Sequence, residues 1–442
     1  MLQKEIGKSS KKKIMKPKTM VIGLGPDYNY DVDNHHKWRK HNTRYASNHG
    51  ASLISRTLID YFKADYVDNF DNIEEYKDKY DLCVIAFATH ITERRDVSIY
   101  TDFVKKMNIK TVAFSLGIQD YSPSSSSLKS LHISLVELLN YCVDSSGFLG
   151  VRGPHTASVL IKEGFSQKNI IQIGCPTAFA PLNRGLVIKK KKAFTKPIIV
   201  FHRTMAGLNK KIIGGAPLLG QDFLDEVVFK NNIDNNQIIK KNELANYHKY
   251  SNGKFTLRQI KENGIFADTF NEWFKIVGEY DFVLGARLHG CMAALIQGIP
   301  AVMLARDVRV QEIAEFYKIP YIKYEDVGGK TIDEIYMEAD FTEFNNLYKY
   351  RFDNFMKLLS ELEILDHLSF EQSIPKDYHF SLDDLNANTE ILFSEIKDLS
   401  ISLDDLNFKH SDELQKLNKK VDRITSAIKK IPGISLVKNI LK

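Results

Sequence analysis

The 442-residue chain sets 61 lysines and arginines against 55 aspartates and glutamates, for a formal net charge of +6, and is 43% hydrophobic and 26% charged. These are the proportions of a soluble globular protein, and the length predicts two domains with appendages rather than one core. The mild charge excludes a dedicated nucleic-acid binder, and no apolar run approaches the roughly 18 residues of a membrane span.

The first 18 residues hold Lys4, Lys8, Lys11, Lys12, Lys13, Lys16 and Lys18 against one glutamate. Residues 1–17 therefore read as a basic tail, either solvated or laid on an acidic surface. A charged start without an apolar stretch is not a secretory signal. Cys83, Cys142, Cys175 and Cys291 form no C-x-x-C pair and sit among apolar or small residues. They read as buried free thiols, not as metal ligands or a disulfide frame. The expected location is the cytoplasm, there or at the inner face of the membrane.

Lys18–Leu24 predicts a first strand, ending in Gly23-Leu24-Gly25-Pro26. The missing third glycine and Pro26 exclude a dinucleotide fingerprint. Residues 27–47 read as a polar loop. His35, His36, His41 and His49 match no standard ligand spacing, so an exposed polar loop is expected and no metal site. Asn48-His49-Gly50 opens a helix over Ala51–Phe62. Tyr80–Ala88 predicts a buried strand, Val97–Met107 a helix, and Thr111–Ser115 a strand leading into Leu116-Gly117-Ile118-Gln119. The serine run Ser122–Ser127 is a loop over that face, either a lid or a linker. Leu131–Leu139 predicts a helix, Gly147–Val151 a strand with Arg152 at its end, and His155–Glu163 a helix after Pro154. Ile170–Thr177 closes a first domain spanning 18–186.

Lys189–Lys192 lies in a basic linker, and Pro197–Phe201 starts a second α/β domain, 195–365, with His202-Arg203 at the end of its first strand. Residues 204–222 read as loop, and Asn242–Gln259 has no clear pattern. Asp268–Val277 predicts a helix whose Phe270, Trp273 and Phe274 belong to the core. Tyr348–Leu365 is amphipathic. In the helical extension 366–442, Leu392–Ile428 has the spacing of a short coiled coil or flanking helix, which would suit a homo-oligomer. Lys429–Lys442 is basic and amphipathic, either a simple terminal helix or a tail for an anionic membrane.

The most informative stretch is Tyr280–Ile322. Asp281–Leu284 reads as a buried parallel strand, Arg287-Leu288-His289-Gly290 as a tight loop, and Met292–Gln297 as a helix stopped by Gly298 and Pro300. Ala301–Leu304 is the next strand, with Asp307-Val308-Arg309 at its carboxyl end. This is a βαβ unit with its polar residues where open α/β sheets bind ligands. An extended Arg287–His289 would turn both side chains to one pocket. A helix start favours an anion there, Gly290 would let a ligand approach the backbone, and Arg309 would add a second cation. The set describes a site for a compact, multiply charged anion with proton transfer beside it. Taken singly, the same residues fit a helix-capping histidine and an arginine paired to a carboxylate.

R-L-H-G, a small-residue helix, G-I-P, an apolar strand and D-x-R together resemble the signature of the polysaccharide pyruvyl transferase family. The resemblance runs from about Asn48 to about Tyr321. It implies a GT-B-like fold, two Rossmann-like domains facing across a cleft, and transfer of the pyruvyl group of phosphoenolpyruvate to sugar hydroxyls, with no further cofactor. Asn48 and Gly50 resemble the family's Asn-x-Gly-Asp, with Ala51 in the acid's place. Gly117 and Gln119 fall in its cleft turn. Arg152 resembles the arginine of its R-D-x-x-S, with Gly153 and Thr156 as departures, and Cys175 falls in its G-C-P turn. By this resemblance Arg152, Arg203, Arg287, Arg309 and Gly290 would hold phosphoenolpyruvate, and His289 would move protons. The partner would be a glycan or lipid-linked sugar. A GT-B-type glycosyltransferase using a nucleotide sugar is the alternative, although no paired acidic motif for a ribose follows the turn.

Overall fold

The computed structural model describes residues 18–28, 45–46, 48–93, 95–118, 130–180, 182–207, 216–230 and 262–368. The chain divides into two compact units, Met1–Phe370 and Glu371–Lys442. The basic tail, His35, His36, His41, Gln119, the serine run, Asn242–Gln259, Leu392–Ile428 and Lys429–Lys442 lie outside the described residues.

Short β-branched and apolar runs alternate with amphipathic helices, and this alternation builds parallel sheets with helices on both faces. The strands are β1 (Thr19–Gly23), β2 (Asp27–Tyr28), β3 (Tyr45–Ala46), β4 (Asp65–Tyr66), β5 (Leu82–Ala86), β6 (Lys110–Leu116), β7 (Leu149–Val151) and β8 (Ile170–Gln172), then β9 (Pro197–Val200), β10 (Leu218–Leu219), β11 (Gly264–Ile265), β12 (Phe282–Gly285), β13 (Ala301–Ala305) and β14 (Tyr321–Lys323). One six-stranded sheet runs β4-β1-β5-β6-β7-β8 and the other β11-β10-β9-β12-β13-β14, with β2 and β3 paired apart. Every pairing within the two large sheets is parallel. The second sheet reverses its winding between β9 and β12, so a crevice opens at their carboxyl ends.

The helices are α1 (His49–Phe62), α2 (Ile73–Lys77), α3 (Ser98–Met107), α4 (Ile133–Ser146), α5 (Pro154–Lys162), α6 (Phe223–Phe229), α7 (Phe270–Gly278), α8 (Leu288–Leu295), α9 (Val308–Tyr317), α10 (Ile332–Glu338) and α11 (Thr342–Glu361). Helix α4 continues past the expected Leu139 because nothing breaks it before Gly147, whose φ of 70° caps it. Gly147 therefore belongs to the helix end rather than to the strand.

Successive residues of β1 serve two cores. Val21 joins an apolar cluster that reaches through α1 into the second sheet, while Met20 and Ile22 join the cluster on the opposite face. Near its end α11 returns to the first sheet: Lys110 Nζ donates to the Leu362 carbonyl at 2.6 Å, and Thr19 Oγ1 lies 2.8 Å from His367 Nδ1.

Candidate functional site

The two sheets point their carboxyl ends at one another, and the polar residues predicted to matter follow these strands. The second-sheet side is crowded with arginines that already have partners. Arg287 Nη2 lies 2.6 Å from Asp222 Oδ2 and 2.9 Å from Asp225 Oδ2, while its Nε donates to the Phe201 carbonyl at 3.2 Å. Burial would raise the Asp222 carboxyl, but Arg287 and Arg203 outweigh it and hold the group below its ordinary range. Arg203 Nη1 stands 3.5 Å from the same carboxylate.

Asp222, the last residue of the expected loop 204–222, and Asp225 open α6 as a reciprocal capping box. The sequence carries that signal as D-F-L-D before an apolar run. Asp307 likewise receives Arg309 Nε at 3.0 Å and Arg306 Nη2 at 2.7 Å. Arg306 Nη1 lies 3.2 Å from both ring nitrogens of His202. Burial, then Arg287, Arg306, Arg203 and Arg309, drive the His202 pKa well below its ordinary value, so the ring is neutral. His202 and Arg306 thus stand among the predicted arginines, although neither was expected to bind a ligand.

The extended Arg287–His289 segment is not found. Helix α8 begins at Leu288, with Arg287 as an extended N-cap whose side chain makes no capping bond. One residue later the chain is helical, so the two side chains diverge: Arg287 goes to the α6 carboxylates and His289 to the first-sheet side. Gly290 also has a different use. A side chain there would collide with Val200, so the glycine lets α8 pack against β9. Gly117, whose Cβ would stand 2.8 Å from Arg152 Cδ, likewise makes room for a packed side chain, that of the arginine.

On the first-sheet side Arg152 is 2% exposed. Its Nε donates to the Ser115 carbonyl at 3.2 Å and hydroxyl at 3.1 Å, while its Nη2 is buried without a hydrogen-bond partner. Ser115 adopts φ 62°, an uncommon conformation for a residue with a Cβ, where the β6–β7 register shifts. Burial lowers the Arg152 pKa, and nearby Arg309 acts in the same sense. The sulfur of Cys175, itself fully buried, lies 3.6 Å from His289 Nε2. Burial and then the charge of Arg152 hold His289 well below its ordinary pKa. Glu312 of α9 caps α5 from across the crevice, accepting from the Thr156 amide at 2.9 Å and hydroxyl at 3.0 Å. Its carboxylate fills the space that a side chain at Gly153 would need. The polar cleft turn at Asn48 is also built in: its Oδ1 receives the Gly50 amide at 2.8 Å and Gln221 Nε2 at 2.9 Å. A Cβ on Gly50 would stand 2.8 Å from His289 Cβ.

His49 is not an exposed loop residue. It is fully buried, stacked on Trp273 at 5.6 Å, with Nε2 3.1 Å from the Ala267 carbonyl. Burial lowers its pKa to about 3. No cluster of three or more potential metal ligands occurs among the described residues. All four cysteines are free and buried, as the sequence predicts. No helix among the described residues is long and apolar enough to cross a membrane.

Two facing parallel α/β sheets with an arginine- and histidine-lined crevice at their carboxyl ends define the GT-B-like class of architecture. Within it the chain belongs to the polysaccharide pyruvyl transferase family, whose model matches residues 24–308, and it is therefore a transferase. Among solved structures, an uncharacterised protein from Klebsiella pneumoniae is 14% identical, with 70% of this chain and 93% of that one covered and a TM-score of 0.36. The UDP-GlcNAc 2-epimerase of Neisseria meningitidis is 11% identical, with 78% and 99% covered and a TM-score of 0.37. That of Methanocaldococcus jannaschii, in complex with UDP-GlcNAc and UDP, is 12% identical, with 77% and 99% covered and a TM-score of 0.35. No curated protein matches the chain.

Proposed function

We propose that this transferase takes the pyruvyl group of phosphoenolpyruvate and joins it to two hydroxyls of one sugar in a cell-surface polysaccharide or its lipid-linked precursor. The products are a pyruvate ketal and phosphate. The observation that carries this reading is the Arg152 guanidinium, buried beside His289 with Nη2 unpartnered. A buried cationic donor without a partner is costly, and a phosphate or carboxylate oxygen would satisfy it with a charge-assisted hydrogen bond. Helices α8 and α9 start at the same crevice without side-chain caps, which favours the same kind of ligand. Arg309, Arg203 and Arg287 add positive field, tempered by Asp222, Asp225 and Asp307.

The chemistry requires a proton at the methylene carbon C3, attack of a sugar oxygen on C2, departure of phosphate with its bonding electrons, and closure by a second hydroxyl. One hydroxyl proton is thereby conserved on C3 and the other leaves with phosphate. His289 is the group for moving them. Burial and Arg152 keep its pKa low, and an anion beside it would act in the opposite sense to Arg152.

Incubation with phosphoenolpyruvate and a panel of sugars and lipid-linked glycans tests the reading, with phosphate release and ketal mass as readouts. Transfer by the wild type that disappears in His289→Ala is the expected result. Absence of both phosphate release and calorimetric phosphoenolpyruvate binding, with turnover of a nucleotide sugar instead, would overturn it.

A further inference from the structure

The sulfur of Cys175 is where the two cationic and titratable groups of the first-sheet side meet. Ser115 Oγ, which accepts from Arg152 Nε at 3.1 Å, donates to Cys175 Sγ at 3.3 Å. Thr177 Oγ1 donates to the same sulfur at 3.1 Å. The remaining contact, 3.6 Å to His289 Nε2, is the one hydrogen bond made by that ring among the described residues. A neutral imidazole has one N–H and one acceptor nitrogen, and which is which is set by the partner that holds it.

We infer that Cys175 is a positioning residue whose S–H donates to His289 Nε2 and so fixes the ring proton on Nδ1. Two hydroxyls already donate to the sulfur, so it serves as their acceptor. The thiol proton must then find an acceptor of its own in a buried place, and Nε2 is the acceptor within reach. The alternative, Nε2–H donating to a thiolate, would put a third donor on the sulfur and leave Nδ1 as the ring's acceptor. With the proton on Nδ1, His289 meets an anionic ligand as an N–H donor held in one orientation. The inference concerns the same crevice as the proposed pyruvyl transfer and takes its catalytic meaning from that reading, yet the tautomer can be measured without any substrate.

The test uses the full chain labelled with ¹⁵N-histidine, with His289 assigned by the signal lost in His289→Gln. Long-range ¹H–¹⁵N correlations near pH 8 then report its tautomer. The expected wild-type spectrum is that of Nδ1–H. Cys175→Ala, which removes the thiol donor, should shift the ring toward Nε2–H, and Cys175→Ser, which restores a donor, should return it. With phosphoenolpyruvate and a working acceptor, Cys175→Ala should lower kcat roughly 10–100-fold at nearly unchanged KM. A wild-type ring protonated on Nε2, or a tautomer indifferent to Cys175→Ala, overturns the inference. The wild-type spectrum decides even where the alanine variant does not fold. An Nδ1–H tautomer in a protein that releases no phosphate from phosphoenolpyruvate would overturn the proposed reaction and leave the positioning role of Cys175 standing.

Discussion

The two lips of the crevice hold arginines in opposite ways. On the second-sheet side, Arg287 is neutralised by Asp222 and Asp225, and Arg306 and Arg309 by Asp307. On the first-sheet side, Arg152 is fixed by the uncharged groups of Ser115 and keeps one nitrogen unsatisfied. Arg203 Nη1, on the second lip, also lacks a hydrogen bond, but it stands 3.5 Å from the Asp222 carboxylate, whereas Arg152 has no carboxylate at such a distance among the described residues. An arginine at a strand end reveals its role only once its carboxylates are found.

Stability and binding should separate along that line. Arg287→Met removes the guanidinium paired with Asp225, which is fully buried. It should destabilise the fold by about 3–5 kcal/mol, the usual consequence of breaking a buried pair, and urea unfolding would show it. Arg152→Met removes a buried charge that has no carboxylate within salt-bridge distance among the described residues, Glu312 acting on it from further off. It should leave the melting temperature at or above wild type while weakening phosphoenolpyruvate roughly 10–100-fold by calorimetry. A large stability loss in Arg152→Met would erase the contrast between the lips. Glu312→Ala exposes the α5 amide end that Glu312 caps and should cost about 1–3 kcal/mol in the same urea assay.

A further effect is one of slope. His49 has a folded pKa of about 3 against 6.5 for the free side chain. As pH falls, the unfolded chain takes up the proton first. The associated stability is therefore complete above pH 6.5 and is lost on acidification towards pH 3, by up to about 1.4 kcal/mol per pH unit. His49→Gln should flatten the dependence of unfolding free energy on pH by that one proton, whatever it does to stability at neutral pH.

The alternation of strands and helices was legible because parallel strands buried on both faces read as continuous apolar runs, as in β5 and β12. Arg152, His202-Arg203 and Arg287 could be placed at strand ends for the same reason. The start of α8 was not legible, since Arg287 is not a side chain that caps helices, and one residue of error there turned His289 away from its supposed partner. Nor were the partners. Asp222 and Asp225 lie 65 and 62 residues from Arg287 in the chain, and Cys175 lies 114 from His289. Local periodicity carries no information over such separations. Glu312 looked like any polar residue of a helix, although its carboxylate holds the start of α5 on the first-sheet side.

Helix α9 makes a second crossing further along. The Tyr317 hydroxyl lies 3.0 Å from the Ile173 carbonyl and 2.9 Å from that of Cys175, one helical turn beyond Glu312. A single rigid rod is thus riveted at two points to the opposite wall. A hinge built this way resists opening, so the architecture favours a preassembled mouth over jaws that shut on their substrate. In kinetic language, donor capture should be a one-step encounter with a single relaxation whose rate rises linearly with concentration, without the plateau that a slow closing step imposes.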